Sequence, residues 1–143
     1  LENKVFNTSL ESGVRVVSFL DKYYPDRLDF EQIMKIDYIM VNSSDFNGPN
    51  SLHPRTPNRQ GERSARREIV RSGLELMTSF RLIEIELNSN GVFYKSTESA
   101  EPYLKLMKEK YSLELIKVSH WLADKIRNEG FSQLEVGLNS KVI

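Results

Sequence analysis

The sequence predicts a mainly α-helical protein with one β-hairpin, organised as a winged-helix-like domain followed by a helical C-terminal arm. Three observations point there. Apolar residues recur at helical spacing in three successive segments, 8–24, 29–41 and 62–80. The largely alternating run Arg81-Leu82-Ile83-Glu84-Ile85-Glu86-Leu87 then meets the turn residues Asn88-Ser89-Asn90-Gly91 and a second short run, Val92-Phe93-Tyr94-Lys95, which together read as a hairpin over 82–95. Beyond it, no Gly or Pro interrupts Tyr103 to Glu129. Three helices followed by a two-stranded hairpin is the element order of a winged-helix domain, a variant of the helix-turn-helix architecture. A chain of 143 residues is of single-domain size. Residues 1–130 are therefore read as one domain and 131–143 as a weakly patterned, mobile tail.

Each element has its own signal. Thr8-Ser9-Leu10-Glu11 has capping-box spacing, and Leu10, Val14, Val17 and Leu20 follow as an apolar stripe widened by Val16, Phe19 and Tyr23. Pro25 stops that helix, because the residue before a proline is pushed out of the helical region. Asp29, with Gln32 three residues on, opens a second helix whose apolar positions Phe30, Ile33, Ile36, Met40 and Val41 cover much of its circumference, as expected of a central core helix. Asp37 falls among them, either as a buried acid with a partner or, the preferred reading, as the helix's wet edge. In the third helix Ala65, Ile69, Gly73, Leu76, Met77 and Phe80 share one side, with Val70 and Leu74 beyond one edge of it. Ser99 or Thr97 caps the arm over 100–129, with Pro102 in its first turn, and the arm is either one helix or two bending near Tyr111 and Ser112. Its stripe Leu104, Tyr111, Leu115, Val118, Leu122 and Ile126 fits either a partner helix or the domain's own core. Gly130 marks the stop.

Between the second and third helices lies a Pro-rich loop, 42–61, holding Pro49, Pro54 and Pro57 of the chain's five prolines. Loops of this length are uncommon inside a compact domain, and the prolines argue against a hidden helix or central strand. It is expected to be extended, stiff and ordered against a partner. The stretch Asp45–Arg71 carries Arg55, Arg59, Arg63, Arg66, Arg67 and Arg71 against Asp45, Glu62 and Glu68, a local excess of three positive charges in a chain of net charge zero. Arg makes planar, bidentate contacts with phosphate or carboxylate, so Arg55, Arg59, Arg63, Arg66 and Arg67 are the candidates for binding a partner or a phosphate. Arg71, with Glu68 and Glu75 in reach along the helix, is explained by local pairing.

Composition excludes several functions. With no cysteine there is neither a disulfide framework, a thiolate zinc site nor a Cys nucleophile. Neither GxxxxGK[ST] nor GxGxxG occurs, so ATP hydrolysis by this chain is not expected. His53 and His120 are far apart and belong to no HExxH-type pair, which leaves no metal site, and no cofactor is implied. His53 with Asp45 as its nearest acid could build a hydrolase only with a nucleophile that no motif supplies, and His120 beside Trp121 reads as a packing residue. No apolar run reaches the roughly 20 residues that span a bilayer, and LENKVFNT lacks the pattern of a signal peptide. The expectation is a soluble cytoplasmic protein, and the zero net charge argues against one that coats DNA.

The string Ser51-Leu52-His53-Pro54-Arg55-Thr56-Pro57-Asn58-Arg59-Gln60-Gly61-Glu62, followed by Arg66-Arg67 and Gly73-Leu74-Glu75-Leu76-Met77, resembles the middle component of bacterial ABC-three-component systems, including the small subunit of Lamassu-type anti-phage defence. The resemblance covers about Phe6 to Gly130, and HPRxPxRxGE is its distinctive part. It implies an accessory subunit without catalytic activity that bridges an SMC-like ABC ATPase, thought to sense foreign or broken DNA, to an effector, often a nuclease. No catalytic residue carries over. His53, Pro54, Pro57, Gly61 and Glu62 are assigned to structuring the loop, and Arg55 and Arg59 match the same string. The competing reading is a freestanding winged-helix DNA-binding regulator that touches DNA through Arg63, Arg66 and Arg67.

Overall fold

The computed structural model describes residues 8–50, 52 and 59–142, apart from the side chains of 59–64 and 140–142. Among the described residues, six α-helices and one antiparallel hairpin follow the order α1 (Ser9–Lys22), α2 (Phe30–Val41), a 3-10 turn (Ser43–Phe46), α3 (Arg59–Ser79), β1 (Ile83–Asn88), β2 (Gly91–Ser96), α4 (Ala100–Lys105), α5 (Lys110–Glu129) and α6 (Phe131–Val142). The mainly helical class with one hairpin is therefore what the chain adopts, and its element order is compatible with a winged helix.

The starts of α1 and α2 form as their sequences dictate, whereas Ser99, a cap expected for the arm, makes no side-chain cap hydrogen bond. Thr8 Oγ1 accepts from the Glu11 amide at 3.1 Å. At α2 both halves of a capping box are made, Gln32 N–H to Asp29 at 2.8 Å and Asp29 N–H to Gln32 at 2.9 Å. Each satisfies a first-turn donor that the helix itself cannot.

The hub of the core is α1, which packs on α2, α3, α4, α5 and β2. Its buried residues, Ser12, Gly13 and Arg15 to Leu20, run nearly around the helix, whereas the sequence pointed to α2 as the central element. The closest approach is to α3. A Cβ on Gly73 would stand 2.7 Å from the Ser9 carbonyl oxygen, and one on Gly13 would stand 2.9 Å from that of Gly73. This crossing sets the rotation of α3: Arg66, Val70, Gly73, Leu74 and Met77 face inward, while Ala65 and Phe80, expected on the apolar side, are exposed.

Two expectations are corrected, for the loop and for the tail, and one left open, for the arm, is decided. The loop 42–61 is shorter, because Ser43–Phe46 turns helically and α3 begins at Arg59. Phe46 is buried edge-on to Tyr38, Ser43 Oγ donates to the Pro49 carbonyl at 2.8 Å, and Gly48 lies so close to Trp121 that a Cβ would come within 2.5 Å of its ring. The arm is two helices with its break at residues 106–109, ahead of Tyr111, and the stripe Leu104, Leu115, Val118, Leu122 and Ile126 packs into the domain's own core. Residues 131–142, expected to be a mobile tail, form α6, with Leu134 and Leu138 buried.

The hairpin pairs Ile83 with Ser96 through Asn88 with Gly91. Leu28 extends it on one side by exchanging both backbone hydrogen bonds with Tyr94, at 2.8 and 3.0 Å.

Candidate functional site

The densest charged chemistry lies inside the domain, where α1, α2 and α3 meet. Asp37 from α2 has no solvent exposure and receives two guanidinium groups. Arg15 of α1 donates through Nε to Oδ1 at 2.8 Å and through Nη2 to Oδ2 at 3.4 Å. Arg66 of α3 places Nε 3.2 Å from Oδ2 and donates from Nη2 to the Asp37 carbonyl oxygen at 3.5 Å. Burial works against the charged form of Arg15, but the attraction and hydrogen bonds of Asp37 more than offset it, so its pKa lies above the ordinary guanidinium value. Tyr111 of α5 stands beside Arg15 and Glu11, and burial, the largest influence on it, raises its phenol. The result is a polar knot tying four helices, with the charges of Arg15, Asp37 and Arg66 held inside the fold.

At the surface of the same junction is a second arrangement. Arg67 grips Glu31 through both carboxylate oxygens, at 3.1 and 2.8 Å. These hydrogen bonds, helped by the positive charges of Arg67, Lys35 and Arg71 and opposed by burial, hold the Glu31 carboxyl below its ordinary value. Phe30 lies beneath two guanidinium groups, Arg67 at 5.1 Å and Arg71 at 4.4 Å from its ring centroid. The distances suit cation–π contact. The aromatic face thus orients a pair of exposed arginines on α3, Arg67 with its planar edge engaged by Glu31 and Arg71 over the Phe30 ring.

Of the residues singled out by sequence, His53, Pro54, Arg55 and Pro57 lie outside the described residues. Arg59, Gly61, Glu62 and Arg63 fall in the first turns of α3, their side chains outside the description. Arg66 and Arg67 are brought to the same junction but to opposite sides of it. Arg66, grouped with the surface candidates, is only 4% exposed and its guanidinium is directed at Asp37. Arg67 is at the surface. Asp37 is not a wet edge but the anion of the buried knot. Arg71 stacks on Phe30 instead of pairing with its helical neighbours. His120, expected to pack, is exposed and lies 3.3 Å from Asp124, while Trp121 takes the packing role over Gly48. Arg15 was missed entirely. Its signal was the same as that of Asp37, a lone charge inside an otherwise apolar stretch, and the two signs are complementary.

These features define a mainly helical domain closed by a buried ion network and carrying a basic, aromatic-backed surface at its third helix. Residues 5–143 match the family described as ABC-three component (ABC-3C) system Middle Component 2, and the chain belongs to that family. It is thus a component of a multi-subunit ABC-three-component system. No curated protein and no solved structure matches the chain. Among the described residues no helix is long and apolar enough to cross a membrane.

Proposed function

We propose that this chain is a non-catalytic adaptor that links an SMC-like ABC ATPase to an effector, a nuclease by preference, within a bacterial anti-phage complex in the cytoplasm. The observation that carries the reading is the family match, which spans 5–143 and identifies a middle component. The internal geometry supports it. Arg15, Asp37 and Arg66 serve one another, which suits a rigid body that holds other subunits in place. The exposed Arg71, oriented over Phe30 beside the Arg67–Glu31 pair, is suited to a carboxylate on a partner subunit or to a phosphate that the complex delivers.

Co-expression of the chain with its neighbouring subunits, followed by size-exclusion chromatography, tests the proposal. Co-elution with an ABC ATPase is the expected result. A chain that always elutes alone contradicts it. Tight, salt-sensitive DNA binding by the isolated chain, weakened by Arg67→Ala, would instead favour a freestanding regulator.

A further inference from the structure

The two edges of the hairpin are unlike. In a two-residue hairpin closed by Asn88 and Gly91, the backbone groups of alternate residues point inward to the partner strand and outward to the edges. Tyr94 points outward from β2, and both of its groups are taken by Leu28. Ile85 is opposite Tyr94, so its N–H and C=O point outward from β1, as do those of Leu87 opposite Val92. No described residue pairs with either. β1 is thus an open strand edge, and its sequence, IEIELN, contains no Pro, Gly or Lys of the kind that usually blocks one.

Its side chains are sorted by face. Ile85 and Leu87 stand with Val92 on one face, and they are 47% and 73% exposed, respectively. On the other face Glu84 and Glu86 form the outermost row, with Lys95 and the Arg27-capped Phe93 behind them on β2. Arg27 reaches Glu86 at 3.2 Å. The order across that face is therefore basic, then acidic at the rim. A second copy is a poor occupant: the antiparallel registers that set Ile85 beside Ile83, Ile85 or Leu87 also set glutamate opposite glutamate, which is destabilising. A strand with Lys or Arg at those positions meets opposite charge.

We infer that the outer edge of β1 binds an extended segment of a partner protein by strand addition. The segment alternates apolar residues, set beside Ile85 and Leu87, with basic residues set beside Glu84 and Glu86. The inference stands on the hairpin edge and does not require the adaptor reading. Backbone pairing supplies attraction, while the face-by-face alternation supplies register.

The test is an NMR titration of the full chain with a short peptide alternating valine and lysine, long enough to span β1. Controls are a peptide of the same composition in blocked order and one alternating valine and glutamate. The alternating valine–lysine peptide is expected to saturate the protein and to slow exchange of the Ile85 and Leu87 amides by about tenfold or more. Glu84→Lys is expected to weaken that peptide by about tenfold and strengthen the glutamate peptide. Leu87→Pro, which removes an outward N–H at an edge where proline is tolerated, is expected to abolish binding while the rest of the spectrum is retained. Equal binding of the blocked peptide, saturation without protection at Ile85 and Leu87, or no binding at millimolar peptide overturns the inference. Protection of the same amides by self-association, in the absence of peptide, overturns it in favour of a second copy.

Discussion

Asp37 is a carboxylate sealed from water with a guanidinium from α1 on one side and one from α3 on the other. Desolvating three charged groups is costly, and the cost is offset only by the attraction of both guanidinium groups to the one carboxylate. Removing the anion leaves two buried cations facing each other. Asp37→Asn is accordingly expected to lower stability by about 3–5 kcal/mol, measured by urea unfolding. Arg66→Met should cost less, because Arg15 still holds Asp37. At the exposed side of the junction, Arg67 sets the protonation of Glu31. The Glu31 carboxyl is held below its ordinary value, so the pair's small contribution is present above the ordinary glutamate pKa and fades as pH falls through the lowered one. An NMR pH titration should show the Glu31 midpoint rising toward the ordinary value in Arg67→Ala, with only slight change in folding stability. At this scale the sequence exposed the oddity of Asp37 but not its meaning. A charge within an apolar stripe has the same one-dimensional signature whether it borders solvent or meets a partner from another helix. The partner Arg15 is twenty-two positions away.

The crossing of α1 and α3 depends on two glycines. Gly73 meets the α1 backbone, where there is no flexible side chain to move aside. Gly73→Ala is therefore expected to force the helices apart and destabilise the fold by about 1–3 kcal/mol, read as a lower midpoint in thermal or urea unfolding. α6 makes a second prediction at this level. Leu134 and Leu138 are buried and Lys35 of α2 pairs with Glu135, so Leu134→Ala should cost about 2–5 kcal/mol. A mobile tail would show no change. The elements legible in the sequence were those with local determinants: the Asp29–Gln32 capping box, the Gly130 stop and the Asn88–Gly91 turn all formed where their chemistry placed them. α6 was not legible, since its helix is weakly amphipathic and its buried face is defined by contact with α5 and with Lys35. The face of α3 was misjudged for a related reason. Val70 and Leu74 turn inward because Gly73 and Gly13 fix the approach, a constraint that no period within α3 reveals.

For the molecule as a whole, α2, α3 and the hairpin pack around α1, and the C-terminal helices, whose apolar stripe fitted either a partner helix or the domain's own core, are folded onto that core. The family was legible in the sequence from the string around residues 51–62, although most of that string lies outside the described residues. α3 carries Arg66 inward to lock the fold and Arg67 and Arg71 outward over Phe30, so one helix serves both stability and surface chemistry. The proposed linking of two other subunits by this chain is tested most directly by pull-down of the effector by the tagged ABC ATPase, performed with and without this chain. Effector is expected to be recovered only when the chain is present. Equal recovery in its absence would contradict a linking role.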